Sequence, residues 1–323
     1  MMSLARSHLA VGVVCFWLVS SPACKRTGRS HGETWGGIAP SCKALAATCG
    51  PSRNEDCCKS LRVPGGTFKR GYDGVDFLDP GYRATVSDFY LDRYEVTVGR
   101  FRAFVNAGFG TQAHPPVEGS GAHPRIAGSG WSSRWNARLP ATTAALKAGL
   151  ECYAAYQTWT EAPGSNENKP VNCLDWYTAF AFCAWDGGRL PTEAEWSYAA
   201  AGGSEQRYFP WSNPPAATTI DDSYAVYCGG TCRIASVGSR SPKGDGKWGQ
   251  ADLGGNVWEW TLDFAGGPYP MPCRDCAAVT AGTYRAFRSG SNDDIPATLR
   301  SAVRHVYYPD YHGVVGARCA RTP

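Results

Sequence analysis

Fourteen cysteines spread over 323 residues constrain what this chain can become more than any other feature. Cys15 lies inside an apolar N-terminal run and Cys24 ends it, and setting these two aside leaves twelve, an even number. Even cysteine counts point to a disulfide framework made in an oxidising compartment. The N-terminus agrees with that compartment. Arg6 and His8 sit in a short polar start and Leu9 to Val19 is almost unbroken apolar sequence, so residues 1–24 read as an export signal too short for a permanent membrane span. Ser21-Pro22-Ala23-Cys24 then allows two outcomes: lipidation of Cys24, with the lipid as the sole membrane attachment, or cleavage near Ala23 and release. Either way the expectation is an exported protein of the cell envelope or the secreted fraction.

Residues 25–60 are polar and cysteine-dense, with Cys42, Cys49 and the adjacent pair Cys57-Cys58, and are expected to form a tether ending in a small disulfide knot. A metal site there would want paired CxxC spacing or several histidines, and the stretch offers only His31. From residue 61 to 323 the pattern becomes that of a domain. With 38 Gly, 22 Pro and 12 Trp, the domain should be loop-rich, held by large aromatic anchors and low in helix. A net charge of +4 with no basic stripe argues against nucleic acid as a partner.

Periodicity places a few elements. Val63 to Phe68 is a turn feeding a strand, and Ala84 to Leu91 alternates as one half-buried strand would. Thr97 starts a helix with Val98, Phe101 and Val105 on one face, stopped by Gly108. A long Gly/Pro/Ser-rich stretch follows from Gly110 to Asn168, with a short helix at 142–148. Trp131, Trp135 and Trp159 within it are candidate surface anchors, with core packing the preferred reading for at least two of them. Asp175 caps a second helix over 176–185, and Thr192-Glu193-Ala194-Glu195 is a capping box opening a third.

Several spaced segments carry more than local structure. Pro170-Val171-Asn172, Asp175-Trp176-Tyr177, Ala181 to Trp185, Arg189 to Trp196, Gly254-Gly255-Asn256-Val257-Trp258-Glu259-Trp260 and Gly316 to Ala320 follow one another in a recognisable order. Together with Val63 to Phe68 and Tyr94 to Thr97, they resemble the formylglycine-generating enzyme, or sulfatase-modifying factor, family over roughly residues 61–323. The resemblance implies an α+β domain of C-type-lectin-like fold with little regular secondary structure. It also implies a disulfide between Cys183 and Cys319, and structural calcium held by Asp252, the carbonyls of Gly255 and Val257, and Glu259. A second family disulfide would start where this chain has Ala199-Ala200-Ala201, and both halves are missing. A second calcium site is not expected, because Val226 stands where the family has an asparagine.

Proximity in sequence nominates the remaining loop pairs: Cys152 with Cys173, Cys228 with Cys232, and Cys273 with Cys276. The last is a CxxC, readable as a redox-active dithiol or as a structural clip; without a thioredoxin-like strand and helix around it, the clip is preferred. Catalytic members of the family bind copper(I) through two thiolates just after an Arg-Gly-Gly-Ser segment, and soft thiolates suit copper(I). Here Arg288-Ser289-Gly290-Ser291 is followed by Asn292-Asp293-Asp294, and no cysteine lies between Cys276 and Cys319, so copper is not expected. Asp293 and Asp294 with Arg300, Arg304 and His305 allow either an anion-binding cleft or local ion pairs. His114, His123, His305 and His312 show no ligand spacing and read as surface or hydrogen-bonded loop residues. The expectation is an exported binding or scaffold module for a peptide, a glycan or an envelope protein. The competing reading is a family oxidase or tailoring enzyme of an exported substrate that works through a non-thiolate site.

Overall fold

In the computed structural model, residues 33–230, 232–280 and 282–323 are described. The segment expected to be an export signal, with Cys15 and Cys24, lies outside the described residues. Ten short strands and four short helices are connected by long ordered loops. The strands form three small sheets. One has the order β1 (Ser60–Val63), β4 (Phe89–Asp92) and β10 (Ala320–Arg321), which brings the two ends of the domain together. Another has β2 (Gly66–Lys69), β3 (Arg83–Val86) and β6 (Cys273–Arg274) side by side in that order. The third has the order β8 (His305–Tyr307), β7 (Tyr284–Arg288), β5 (Trp258–Ala265) and β9 (Val315–Gly316).

The stretch expected to be one strand from Ala84 to Leu91 is two. β3 (Arg83–Val86) pairs with β2 (Gly66–Lys69), and β4 pairs with β1 in another sheet. The break is chemical: Ser87 N–H donates to Asp275 and the Asp88 carboxylate accepts from Gly65 N–H, which turns the chain out of the first ladder. Alternation alone could not reveal a partner 188 residues away.

The helices are capped as their sequences dictate. Thr97 opens α1 (Val98–Asn106), Thr142 opens α2 (Thr143–Gly149), and Asp175 opens α3 (Trp176–Trp185) by accepting from Thr178 N–H at 2.6 Å. Thr192 and Glu195 complete a reciprocal capping box on α4 (Glu193–Ala200). α3 differs from a surface helix: Trp176 through Cys183 are buried all round, so its hydrophobicity has no single face. It forms the centre of the main core with Phe101, Phe104, Trp260 and Phe287. Trp131 and Trp159 are buried in that core and Trp135 packs against it, so the insertion's tryptophans are packing residues.

The cysteine-rich stretch is not a free tether. Cys42–Cys58 and Cys49–Cys57 tie it into a knot, and Ser41 N–H donates to Asp186 while Arg100 donates to Ser41 Oγ and to the Cys57 carbonyl. The boundary expected at residue 61 therefore runs through a continuous folded body, because the buried charge of Arg100 needs acceptors from both sides of it. The other four disulfides join Cys152–Cys173, Cys183–Cys319, Cys228–Cys232 and Cys273–Cys276, so all twelve described cysteines are bonded. Among the described residues, no helix is long and apolar enough to cross a membrane.

Candidate functional site

The tryptophan-and-acid segment starts as a tight loop and becomes β5 (Trp258–Ala265). Asp252, Gly255 and Asn256 all adopt left-handed backbone, with φ of 56°, 103° and 65°. At Gly255 nothing larger fits, since a Cβ would stand 2.4 Å from the Val226 carbonyl oxygen. β9 (Val315–Gly316) runs parallel to β5 and pairs Glu259 with Gly316, which delivers Arg318 beside Glu259. Arg318 grips both oxygens of the Glu259 carboxylate at 2.7 Å, and Trp196 Nε1 donates to one of them at 2.7 Å. Both side chains of the pair are completely buried.

Two further acids stand in this cluster. Glu95 accepts from Asn256 Nδ2 and from Val257 N–H, and Asp252 accepts from Gly238 N–H. Burial, then the nearby carboxylates Asp252 and Glu259, push the Glu95 carboxyl well above the usual range. Burial also pushes Asp252 up, to about 6. Three carboxylates thus share one guanidinium. Asp252, Gly255, Val257 and Glu259 offer oxygen donors of the hard type that calcium takes. Part of the donor capacity is already used: Ser289 Oγ donates to the Gly255 carbonyl at 3.0 Å, and Arg318 and Trp196 occupy three of the acceptor positions of Glu259. Among the described residues, the only histidine, cysteine or carboxylate side chains that converge as three metal ligands would are Cys42, Asp56 and Cys58, whose two sulfurs are bonded to each other; Glu95, Asp252 and Glu259 do not converge in that way.

The segment after β7 (Tyr284–Arg288) packs directly on this loop. Asn292 N–H donates to the Asn256 carbonyl, and Gly255 N–H to the Ser289 carbonyl. Arg288 is fully buried and pairs with Glu193 of α4. Asp294 turns back to accept from Ser291 N–H and Oγ, and Asp293 accepts from Tyr156 Oη. The 228–232 disulfide loop closes over the same segment, with Cys228 N–H donating to the Asp294 carbonyl and Asn292 Nδ2 to the Cys232 carbonyl. Neither expected role of the nearby cations is present. Arg300 pairs with Asp76 across the molecule, and Arg304 donates to the Gly267 carbonyl and lies over the Tyr269 ring. Asp293 and Asp294 found closer donors, so no anion cleft and no pairing with those arginines forms.

Beside this segment lies a surface of tyrosines. Tyr153, Tyr307 and Tyr308 are exposed, and Tyr311 stands 4.1 Å from Tyr307 between ring centroids. His114, His123 and His312 are hydrogen-bonded loop residues, with His312 Nδ1 meeting the Cys173 carbonyl and buried His123 3.5 Å from Glu195, whereas His305 is an exposed strand residue whose ring lies 4.7 Å from that of Trp258. Glu95, Arg318 and the tyrosine surface were not singled out from sequence. A signal existed for each, as an acid in an apolar run, a cation before Cys319, and a dense Tyr307-Tyr308-Tyr311 cluster.

Comparison with known proteins accords with this geometry. Residues 46–323 match the sulfatase-modifying factor enzyme 1-like domain. The formylglycine-generating enzyme of Thermomonospora curvata is 31% identical over 81% of this chain and 93% of its own length. A bovine protein named inactive C-alpha-formylglycine-generating enzyme 2 is 32% identical over 64% of this chain and 71% of its own length. The structure of PvdO from Pseudomonas aeruginosa superposes with a TM-score of 0.60 at 22% identity, covering 90% of this chain and 98% of PvdO, which shows a shared α+β fold. With its motif loop, its β5–β9 pairing and its match over residues 46–323, the chain belongs to the sulfatase-modifying factor enzyme 1-like family.

Proposed function

We propose that this chain is an exported member of the family that does not generate formylglycine and acts as a binding or scaffold module for a peptide, a glycan or an envelope protein. One observation carries the reading. Where copper(I) would need a pair of thiolates after Arg288 to Ser291, the chain places Asp293 and Asp294, and every described cysteine is held in a disulfide. Carboxylates are hard donors and do not replace thiolates toward a soft cation. The tyrosine surface next to that segment supports recognition in place of oxidation, since exposed aromatic rings with nearby carboxylates are common anchors at interfaces. A relative whose name records inactivity supports the same view.

In this proposal calcium is structural, held by Asp252, the Gly255 and Val257 carbonyls and Glu259, and would neutralise the excess buried negative charge beside Glu95. The test of the main reading uses the full chain supplied with copper(I), oxygen and a cysteine-containing sulfatase peptide. No stoichiometric copper uptake and no conversion of cysteine to formylglycine are expected. Conversion would overturn the proposal in favour of an oxidase.

A further inference from the structure

The Cys273–Cys276 bridge has a neighbour that no other described disulfide has. Arg70 is fully buried, and its Nη1 donates to Cys276 Sγ at 3.6 Å. Its remaining recorded bonds go to the Pro270 carbonyl at 2.5 Å and to Met271 Sδ at 3.6 Å, and its Nε has no partner. No carboxylate is among these partners, and the guanidinium otherwise lies over the Tyr269 ring. Burial pulls its pKa down more than Tyr269 and the more distant Asp263 carboxyl, neither of them hydrogen-bonded to it, push it up, which leaves the cation without an anion in direct contact. The sulfurs of the other described disulfides that make a recorded hydrogen bond meet a hydroxyl, a carbonyl or an amide oxygen.

A disulfide is neutral and does little for such a cation, whereas a thiolate at the same place is its ideal partner. Reduction would therefore supply Arg70 with the anion it lacks, and a neighbouring cation stabilises thiolate and with it the reduced form. The bridge is also placed for exchange. Cys276 is partly exposed while Cys273 is almost buried in β6 (Cys273–Arg274), and Met271, Pro272 and Arg274 around them are exposed.

We propose that Cys273–Cys276 is an oxidising thiol–disulfide exchange site whose substrates are exposed dithiols of other polypeptides. An incoming thiolate attacks Cys276 Sγ, the Cys273–Cys276 bond breaks, and Cys273 leaves as a thiolate and takes up a proton. The second thiolate of the substrate then attacks its own sulfur in the mixed disulfide and displaces Cys276 as a thiolate facing Arg70. Two electrons and two protons pass from the substrate dithiol to the protein, and the substrate gains one disulfide. The site is independent of the proposed binding role, and it lies in the CxxC that the sequence offered as either clip or dithiol.

The experiment equilibrates the full chain in reduced and oxidised glutathione mixtures, followed by alkylation and peptide mass mapping of each bridge. Cys273–Cys276 is expected to open at least tenfold earlier in the ratio of squared reduced to oxidised glutathione than Cys183–Cys319, or about 30 mV for a two-electron couple. Arg70→Gln should move its midpoint about tenfold toward the reducing side, and Arg70→Lys should restore most of the difference. Opening together with or after Cys183–Cys319, or an unchanged midpoint in Arg70→Gln, would overturn the proposal. If Arg70→Gln does not fold, alkylation of the selectively reduced native chain against pH decides. A Cys276 thiol half-reactive clearly below the ordinary value of about 8.5 supports the site, and one at or above it overturns the site.

Discussion

Two buried charge clusters stand near one another in this molecule and are built to opposite rules. In the first, Arg100 and Arg321 bridge Asp92 and Asp186, two cations against two anions, all completely or almost completely buried. Burial works against the Asp92 carboxylate, but Arg321 and Arg100 outweigh it and hold its pKa below the ordinary value. In the second, Glu95, Asp252 and Glu259 face Arg318 alone, and Glu95 and Asp252 are pushed up. The balanced cluster is closed and joins the cysteine knot, α1 and β10. The unbalanced one sets three buried carboxyl groups against one guanidinium, so two of them are pushed toward the protonated form, and it sits in the loop that marks the family.

The largest expected effect breaks the balanced cluster. Arg100→Met leaves Asp92 and Asp186 buried with only Arg321 between them, and denaturant unfolding should report a loss of about 3–5 kcal/mol. That loss should be the same with calcium or chelator present. If it depended on calcium, the two clusters would not be separate.

The unbalanced cluster should respond in the reverse way. Calcium at a hundredfold excess over its dissociation constant should stabilise the chain by about 2.7 kcal/mol, read as a rise in Tm that chelation reverses. Asp252→Asn is the better probe than removal of Glu259, because Glu259 also neutralises Arg318 and its loss would destabilise without any metal. Asp252→Asn should abolish most of the calcium response, and a response equal to that of the unaltered chain would remove the assignment.

Asp263 sharpens the comparison as a buried acid with backbone partners only, accepting from Glu193 N–H and Ala278 N–H. Burial pushes it up to about 7, against 3.8 for the exposed group. The folded state then holds a proton that the unfolded chain has released across that window, so stability falls as pH rises from about 4 to 7. Between pH 5 and pH 7 this amounts to about 2 kcal/mol. Urea midpoints measured in chelator should fall with pH, with Asp252 and Glu95 adding to the slope, and Asp263→Asn should make it shallower by about this amount. The smallest effect belongs to a neutral cap: Thr192→Ala should lower stability by about 1 kcal/mol at all pH values, with no calcium dependence.

Local chemistry was legible from sequence wherever the partners lie a few residues apart. The Thr192–Glu195 capping box and the Asp175 cap need only neighbours within one turn, and the bridges of 3 and 4 residues separation, Cys273–Cys276 and Cys228–Cys232, need only a short loop. The resemblance supplied what spacing could not, including Cys183–Cys319 across 136 residues. Long-range electrostatics escaped both. Closeness in sequence allows Asp293 and Asp294 either an anion-binding cleft or ion pairs with Arg300 and Arg304, yet Arg300 reaches Asp76 across 224 residues while Ser291 and Tyr156 supply the aspartates.

The sequence by itself determined the family, the helix starts and the absence of any cysteine between Ser291 and Cys319, because each depends on residue identity and short spacing. Only the tertiary structure decided that the cysteine-rich segment is part of the body, that Arg318 belongs to Glu259, and that Arg70 lies against Cys276. Those facts depend on which charges are buried together, and a buried charge takes whichever partner the fold brings within a few ångströms, however distant it is along the chain.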